Sequence, residues 1–144
     1  RAISEERKLK PIVTTVHLAN VVKAAHPRWE RHKHPATQTF QAIRIRINNE
    51  LEDLKLGLEQ SLDVLKIGGR LLVISFHSLE DRIVKRFIRK QAHEAVELKK
   101  LPVIPVEWRP RLKSLGRGIK ADAYAIKVNP RSRSAVLRIA EKIL

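Results

Sequence analysis

The segment LKIGGRLLVISFHSLEDRIVKRF, residues 65–87, constrains the fold more than any other part of the chain. A double glycine precedes a continuous apolar run at residues 70–76, and a basic helical pattern follows it at once. A strand without alternation is typical of a sheet that is covered on both faces by helices. We therefore predict an α/β fold in which this strand is central and the next helix begins directly after His77.

The residues that end this strand are candidates for a binding pocket. In doubly wound α/β folds, ligands bind outside the carboxyl ends of the strands. Ser75, Phe76, His77 and Ser78 occupy that edge. The alternative is that Ser78 only caps the following helix, in a Ser-x-x-Asp pattern that ends at Asp81, and that Phe76 belongs to the core.

A sustained apolar stripe predicts one long helix before the strand. The helix is expected to start at Thr37 or Thr39 and to end at Gly68 and Gly69. Its apolar residues recur at three- and four-residue steps: Phe40, Ile43, Ile47, Leu51, Leu54, Leu58, Leu62 and Leu65.

Three hydrogen-bonding residues share one flank of this helix. Gln41, Arg44 and Asn48 fall at positions i, i+3 and i+7, so their side chains lie along one line. They form either a solvated helix edge or part of a binding surface, and the spacing alone favours the solvated edge.

The remaining segments carry weaker patterns. Thr14 and Thr15 predict the start of a helix that ends at about Ala25, before His26-Pro27. Residues 111–119 and 134–141 are predicted to form two late strands, with a turn at Asn129-Pro130 before the second.

Composition narrows the range of partners and compartments. Thirty Lys and Arg residues against fifteen Asp and Glu residues give a net charge of +15, which favours polyanions and nucleic acid above all. The chain has no cysteine, which excludes disulfides, thiolate zinc sites and cysteine nucleophiles and fits a reducing cytoplasm. No apolar stretch is long enough to span a bilayer, and no membrane partner is predicted.

A metal site among the early histidines is considered and set aside. His26, His32 and His34 lie close together in sequence, but Arg31 and Lys33 stand between them, and no cysteine or paired carboxylate accompanies them. Cations repel a divalent metal, so a basic loop that faces RNA is favoured and no metal is predicted.

Hydrolase and nucleotide-binding motifs are also missing. His77 with Glu80 or Asp81 suggests a serine–histidine–acid arrangement, but no G-x-S-x-G elbow is present. No Walker loop and no G-x-G-x-x-G fingerprint occurs either.

Three long motifs together resemble a known family. HPATQTFQAIRIRINNEL, GGRLLVISFHSLEDRIVKRF and NPRSRSAVLRIAE, at residues 34–51, 68–87 and 129–141, are similar to the family of ribosomal RNA small subunit methyltransferase H. The resemblance implies a class I, Rossmann-like methyltransferase fold. It also implies S-adenosylmethionine-dependent methylation of N4 of a cytidine in 16S ribosomal RNA, in the cytoplasm.

The resemblance covers only the C-terminal half of that family. Residues 1–33 resemble the end of a helical RNA-binding insert. Residues 34–144 resemble the C-terminal part of the methyltransferase domain, with a long helix, the fifth strand, a helix and closing antiparallel strands. The parts of the family that carry most of the S-adenosylmethionine site have no counterpart here. We therefore assign no cofactor-binding residue, and we expect the chain alone to be inactive.

The resemblance also suggests roles for individual residues, although no catalytic residue is assigned. The partner it implies is 16S rRNA or the small ribosomal subunit, and a homodimer is kept open. The alternative is a non-enzymatic basic protein that binds RNA or assists ribosome assembly. The substrate-binding candidates are Gln41, Arg44, Asn48, Ser75, Phe76, His77 and Ser78, and the RNA-backbone candidates are Arg31, Lys33, Arg131 and Arg133.

Overall fold

A computed structural model of the chain describes residues 1–26, 34–92 and 109–144. Its contacts divide the chain into two compact units, Arg1–Glu50 and Leu51–Leu144. The division falls after Glu50, whereas the sequence places a boundary after residue 33. The assignment of residues 1–33 to an RNA-binding insert stays a prediction.

The first unit is helical in its described residues, with α1 at Ala2–Leu9, α2 at Thr15–Ala25 and α3 at Thr37–Ile47. The predicted start of α2 is confirmed, because the Thr14 hydroxyl accepts a hydrogen bond from the His17 amide at 3.1 Å. The same histidine joins α2 to α1, since its Nε2 lies 2.9 Å from Glu6 Oε1.

The prediction of one continuous helix from Thr37 is wrong. α3 ends at Ile47, and α4 begins afresh at Glu50 and runs to Val64. Asn49 between them has φ of 54°, which is the left-handed region. Asparagine enters that region more readily than other residues with a side chain, so it ends one helix without interrupting the apolar spacing that suggested continuity.

The second unit is a mixed α/β structure that contains most of α4. After α4, the elements in chain order are β1 at Arg70–Ser75, α5 at Ser78–Ala92, β2 at Leu112–Ser114, β3 at Ile119–Lys120, α6 at Ala123–Val128, a 3-10 helix at Pro130–Ser134 and β4 at Val136–Lys142.

The sheet is built around β4, and β1 lies at its edge, so the prediction that the strand at residues 70–76 is central is wrong for the described residues. The strand order is β1-β4-β2, and β3 also pairs with β4; each of these pairings is antiparallel. The late strand predicted at residues 134–141 is confirmed in β4. The single strand predicted at residues 111–119 is wrong, because a turn separates β2 from β3. Gly116 in that turn has φ of 86°, a conformation that favours glycine.

The two faces of β1 differ, and the prediction that both are covered is wrong for the described residues. Leu71 and Val73 pack against the buried cluster. Leu72 and Ile74 point to the opposite face and are 58% and 59% exposed. The cluster that α4 and α5 contribute lies against only one side of the strand, so a continuous apolar run did not mean burial on both faces.

The core of the second unit joins α4 and α5 to the sheet. Its buried residues are Leu58, Leu62, Val84, Ile88, Leu112 and Ala140. A hydrogen-bonded side chain completes the junction, because Lys142 Nζ donates to the carbonyl oxygens of Leu62 at 2.6 Å and Leu65 at 2.8 Å. These carbonyls lie at the end of α4, where no further helical turn is present to satisfy them.

Candidate functional site

The turn from β1 into α5 is held by Glu80. Its Oε2 accepts hydrogen bonds from the backbone amides of Phe76, at 2.8 Å, and His77, at 3.2 Å. An acidic side chain is also favourable in the first turn of a helix, where the amides carry partial positive charge. The capping carboxylate is therefore Glu80, while Asp81, which the sequence pattern proposed, bonds elsewhere.

The His77 ring presents one nitrogen without a hydrogen-bond partner. Nδ1 accepts a hydrogen bond from the Glu80 amide at 3.4 Å, which in the neutral ring places the hydrogen on Nε2. Nε2 lies 3.2 Å from Glu80 Oε1, but the two atoms are not aligned for a hydrogen bond, and within the described residues Nε2 is buried and unpartnered. The ring is thus packed against Glu80, with its unpartnered nitrogen away from solvent.

The four predicted pocket residues differ in how far they reach solvent. Ser75 ends β1 and is only 2% exposed, whereas Phe76 is 56% exposed. Ser78, the first residue of α5, is exposed, and His77 is half-buried. The alternative that Phe76 belongs to the core does not hold for the described residues. An exposed aromatic ring at the end of a strand can stack on a nucleobase.

An ion pair that the sequence did not predict fixes α5 against the sheet. Arg138 on β4 donates from Nε to Asp81 Oδ1 at 2.7 Å and from Nη2 to Asp81 Oδ2 at 3.0 Å. This hydrogen-bonded pairing holds the pKa of Asp81 below its ordinary value of 3.8. No local pattern indicates the pair, because its members are far apart in the chain and each is one charge among many.

The second predicted group lies in the first unit, around Glu50. Arg44 Nε lies 2.9 Å from Glu50 Oε1, and its Nη2 donates to Oε2 at 3.1 Å. Asn48 Nδ2 donates to Glu50 Oε1 at 3.2 Å. Gln41 lies half-buried two turns before Asn48 on α3. The structure thus brings Arg44 and Asn48 together on one carboxylate, which the spacing of α3 alone did not indicate.

The predicted RNA-backbone residues are placed only in part. Arg131 and Arg133 are exposed on the 3-10 helix. Asn129 begins this helix by accepting a hydrogen bond from the Arg131 amide at 3.1 Å. Arg31 and Lys33 lie outside the described residues.

That this chain carries no S-adenosylmethionine-binding residue stays a prediction. The two carboxylates nearest the end of β1 are occupied, Glu80 by backbone amides and Asp81 by Arg138. The neighbouring groove between α5 and β4 is lined by cations, which repel a sulfonium group. Nor do the described residues contain a group of three or more potential metal ligands.

The chain matches the MraW methylase family over residues 1–143, and it belongs to that family. It is 56% identical, over 143 residues, to the ribosomal RNA small subunit methyltransferase H of Legionella pneumophila strain Paris. The protein of the same name from strain Corby is 55% identical over the same length. Each alignment covers 99% of this chain and 46% of the relative, so the chain spans about half the length of the curated relatives it matches. Across the described stretches, no helix has the length and apolar character that crossing a membrane requires.

Proposed function

We propose that the full-length protein carrying this chain is an S-adenosylmethionine-dependent methyltransferase that modifies N4 of a cytidine in 16S rRNA. The single observation that carries the proposal is the identity of 56% to ribosomal RNA small subunit methyltransferase H along nearly the whole chain. The excess of basic residues supports an RNA substrate, because phosphate neutralisation drives binding of any sequence.

In this proposal the chain is the C-terminal part of a class I, Rossmann-like domain. The antiparallel strand β4, placed between β1 and β2, supports a sheet that closes at this side. The exposed Leu72 and Ile74 leave one face of β1 available to further elements of the domain. Residues 1–33 are assigned to the RNA-binding insert. We place the protein in the cytoplasm, with the small ribosomal subunit or its RNA as partner, and leave a homodimer open.

S-adenosylmethionine supplies the methyl group, and residues outside this chain are expected to hold it. The cytidine amine is a weak nucleophile because its lone pair is delocalised into the ring. The protein must therefore extrude the base from its stack and orient the amine. In this chain, Phe76 is suited to stack on the extruded base, and the half-buried His77 is assigned to the wall of the pocket.

The other candidates take supporting roles. The guanidinium of Arg44 and the amide of Asn48, both held by Glu50, are assigned to substrate positioning together with Gln41. Ser75 is buried and is assigned to the wall of the pocket, and Ser78 to its rim. Arg131 and Arg133, with Arg31 and Lys33, are assigned to phosphate contacts.

The test of this function uses the full-length protein, labelled S-adenosylmethionine and small ribosomal subunits that lack the modification. The RNA is digested and its nucleosides are separated. We expect label in N4-methylcytidine, and none when residues 1–144 replace the full-length protein. Absence of label with RNA binding retained would support the alternative, a non-enzymatic basic RNA-binding or ribosome-assembly protein, which the net charge of +15 also favours.

A second measurement tests the pocket itself. Phe76→Ala should lower kcat/KM for the ribosomal substrate by about tenfold, because base–aromatic stacking contributes about 1–3 kcal/mol. Tyr124→Ala is the matched control, since Tyr124 is an aromatic residue on α6 that is exposed to a similar or greater degree. Equal effects of the two substitutions would contradict a pocket at the end of β1.

A further inference from the structure

A basic groove lies in the second unit, between the C-terminal half of α5, the turn after β2, and β4. Its volume is about 430 Å³, and it is open to solvent along one side. Its charged and hydroxyl-bearing lining residues are Lys85, Arg89, Ser114, Arg117 and Arg138. Among the residues that the structure describes, no acidic side chain lines it. We call this surface the basic groove.

The charge of the groove is only partly neutralised. Arg138 is bonded to Asp81 through both oxygens of the carboxylate. Lys85 also acts on Asp81 through its charge, but no hydrogen bond or ion pair to it is formed within the described residues. Arg89 and Arg117 likewise form no side-chain hydrogen bond or ion pair there. Lys85, Arg89 and Arg117 are exposed, and the one carboxylate beside the groove is already bonded to Arg138, which leaves the groove positively charged.

The backbone around the groove sets the spacing of these cations. Lys85 and Arg89 are four residues apart on α5 and so lie about 6 Å apart along its axis, on one face. On the other side, Gly116 has φ of 86° and turns the chain back towards the sheet. A Cβ at Gly118 would lie 2.9 Å from Val136 Cγ1 and 3.3 Å from Arg138 Cζ. The turn that carries Arg117 is therefore packed closely against β4.

The groove is separate from the pocket assigned above. None of its lining residues belongs to the group Ser75, Phe76, His77 and Ser78. Lys85 lies seven residues after Ser78 on α5, about 10 Å further along the helix axis. A ligand can therefore occupy the basic groove without contacting the side chains of that pocket.

We propose that the basic groove binds the sugar–phosphate backbone of small-subunit ribosomal RNA at a second place, away from the modified base. The proposal rests on the proposed function, which supplies the RNA. Exposed, weakly partnered Lys and Arg side chains at helical spacing suit successive phosphates, which such residues contact without reading sequence. None of the described lining residues is aromatic, which disfavours a lipid surface as the partner of the groove.

The test measures RNA affinity of the full-length protein with Lys85→Gln, Arg89→Gln and Arg117→Gln combined. The probe is a transcript of the small-subunit rRNA, titrated over a series of KCl concentrations. Loss of three phosphate contacts should weaken binding about tenfold or more and reduce the slope of log Kd against log salt by about 2. The charge-matched control combines Lys55→Gln, Lys66→Gln and Lys127→Gln, three exposed lysines outside the groove.

The folding of each variant is checked by far-UV circular dichroism. The single variant Arg117→Gln changes only the turn, so it tests the groove with a smaller change to the protein. This single variant should reduce the salt slope by about 0.7. Arg89→Lys keeps the charge and should keep most of the affinity. Unchanged RNA affinity of the triple variant would overturn the proposal that the groove binds RNA. An equal loss of affinity in the control would overturn it too, because the loss would then reflect net charge and not the groove.

Two further outcomes separate the groove from the proposed function. If the full-length protein does not methylate RNA, yet the triple variant loses RNA affinity and the control does not, the groove stands and the methyltransferase proposal fails. If methylation is found and RNA affinity does not depend on the groove, the methyltransferase proposal stands and only the proposal of RNA binding at the groove is overturned. Vesicles containing anionic phospholipid are titrated in parallel, and loss of vesicle binding alone would also overturn the proposal.

Discussion

Arg138 and Asp81 join the central strand to α5 through two parallel hydrogen bonds, of 2.7 and 3.0 Å, between one guanidinium and one carboxylate. The two residues are partly buried, so water screens their attraction less than it would at the surface. Bidentate pairs of this kind also fix relative orientation, which a single point contact does not. The pair therefore sets how α5, and with it the turn that carries His77, lies on the sheet.

The first prediction concerns the strength of this pair. Asp81→Asn should lower the free energy of unfolding by about 2 kcal/mol, because it leaves a partly buried guanidinium without its charged partner. A double-mutant cycle with Arg138→Gln should give a coupling energy of about 1 kcal/mol or more. Arg70 and Glu141 provide the control pair, since they lie 3.9 Å apart with Arg70 exposed, and their coupling should be close to zero. Equal coupling in both cycles would contradict a structural role for the pair.

The second prediction concerns pH. The hydrogen bond from Arg138 holds the folded-state pKa of Asp81 below 3.8, so below about pH 4 the unfolded chain binds this proton more readily than the folded chain does. The stability that the pair contributes is thus complete above the unfolded-state pKa and is lost as the pH falls through the folded-state pKa. Urea unfolding from about pH 6 to about pH 2.5 should show a smaller loss of stability in Asp81→Asn than in the unsubstituted protein. Parallel curves would be incompatible with this assignment.

The third prediction concerns the core and uses two leucines of α4. Leu62 is 1% exposed and Leu56 is 54% exposed. Leu62→Ala should lower the free energy of unfolding by about 3 kcal/mol, because it removes buried apolar atoms and leaves a cavity. Leu56→Ala should change it by less than about 1 kcal/mol. Chemical denaturation of both variants checks the difference, and similar losses would show that the two positions are not buried differently.

The fourth prediction concerns the break between α3 and α4. Asn49 has a positive φ, so Asn49→Ala should destabilise the chain by about 1 kcal/mol. Asn49→Gly should be nearly neutral, because glycine adopts this conformation without a steric penalty. Comparison of the two variants by urea unfolding separates backbone strain from loss of the amide. If alanine were tolerated better than glycine, a continuous helix would replace the break.

The fifth prediction concerns Arg44 in the proposed enzyme. Arg44→Ala in the full-length protein should lower methylation of small subunits by about tenfold or more, because a substrate-positioning contact is lost. Its exposed ion pair with Glu50 contributes little stability, so folding should be preserved. Arg46→Ala is the matched control, since Arg46 is an exposed arginine on the same helix. Unchanged turnover with RNA binding retained would remove Arg44 from the site.

Local patterns predicted the elements that depend on neighbouring residues. The threonine cap of α2, the basic amphipathic α5 and the family motifs were all readable, because their signals lie within a few residues of each other. The break at Asn49 was missed since the apolar spacing continues across it and asparagine alone does not force a turn. The separation of β2 from β3 depends on Gly116, whose left-handed conformation is one of several that glycine can adopt.

Contacts between distant segments were not predictable in the same way. The pairing of Asp81 with Arg138, and of Lys142 with the end of α4, depends on the register of β4 beside β1. No single side chain indicates that register. Glu80 illustrates the same limit at short range. The sequence pattern proposed Asp81 for the cap, and only the geometry of the turn assigns the adjacent Glu80 to the amides and Asp81 to the sheet.

The position of β4 has a consequence for the order in which the second unit folds. Each other strand of the sheet pairs with β4, yet β4 follows all of them in sequence. The sheet therefore consists of long-range pairings whose loop-closure entropy must be overcome before any ladder forms. Among the described residues of this chain, β1, β2 and β3 have no sheet partner until residues 136–142 are synthesised. The second unit is thus expected to acquire its sheet in one late step, with α4 and α5 forming earlier from local contacts.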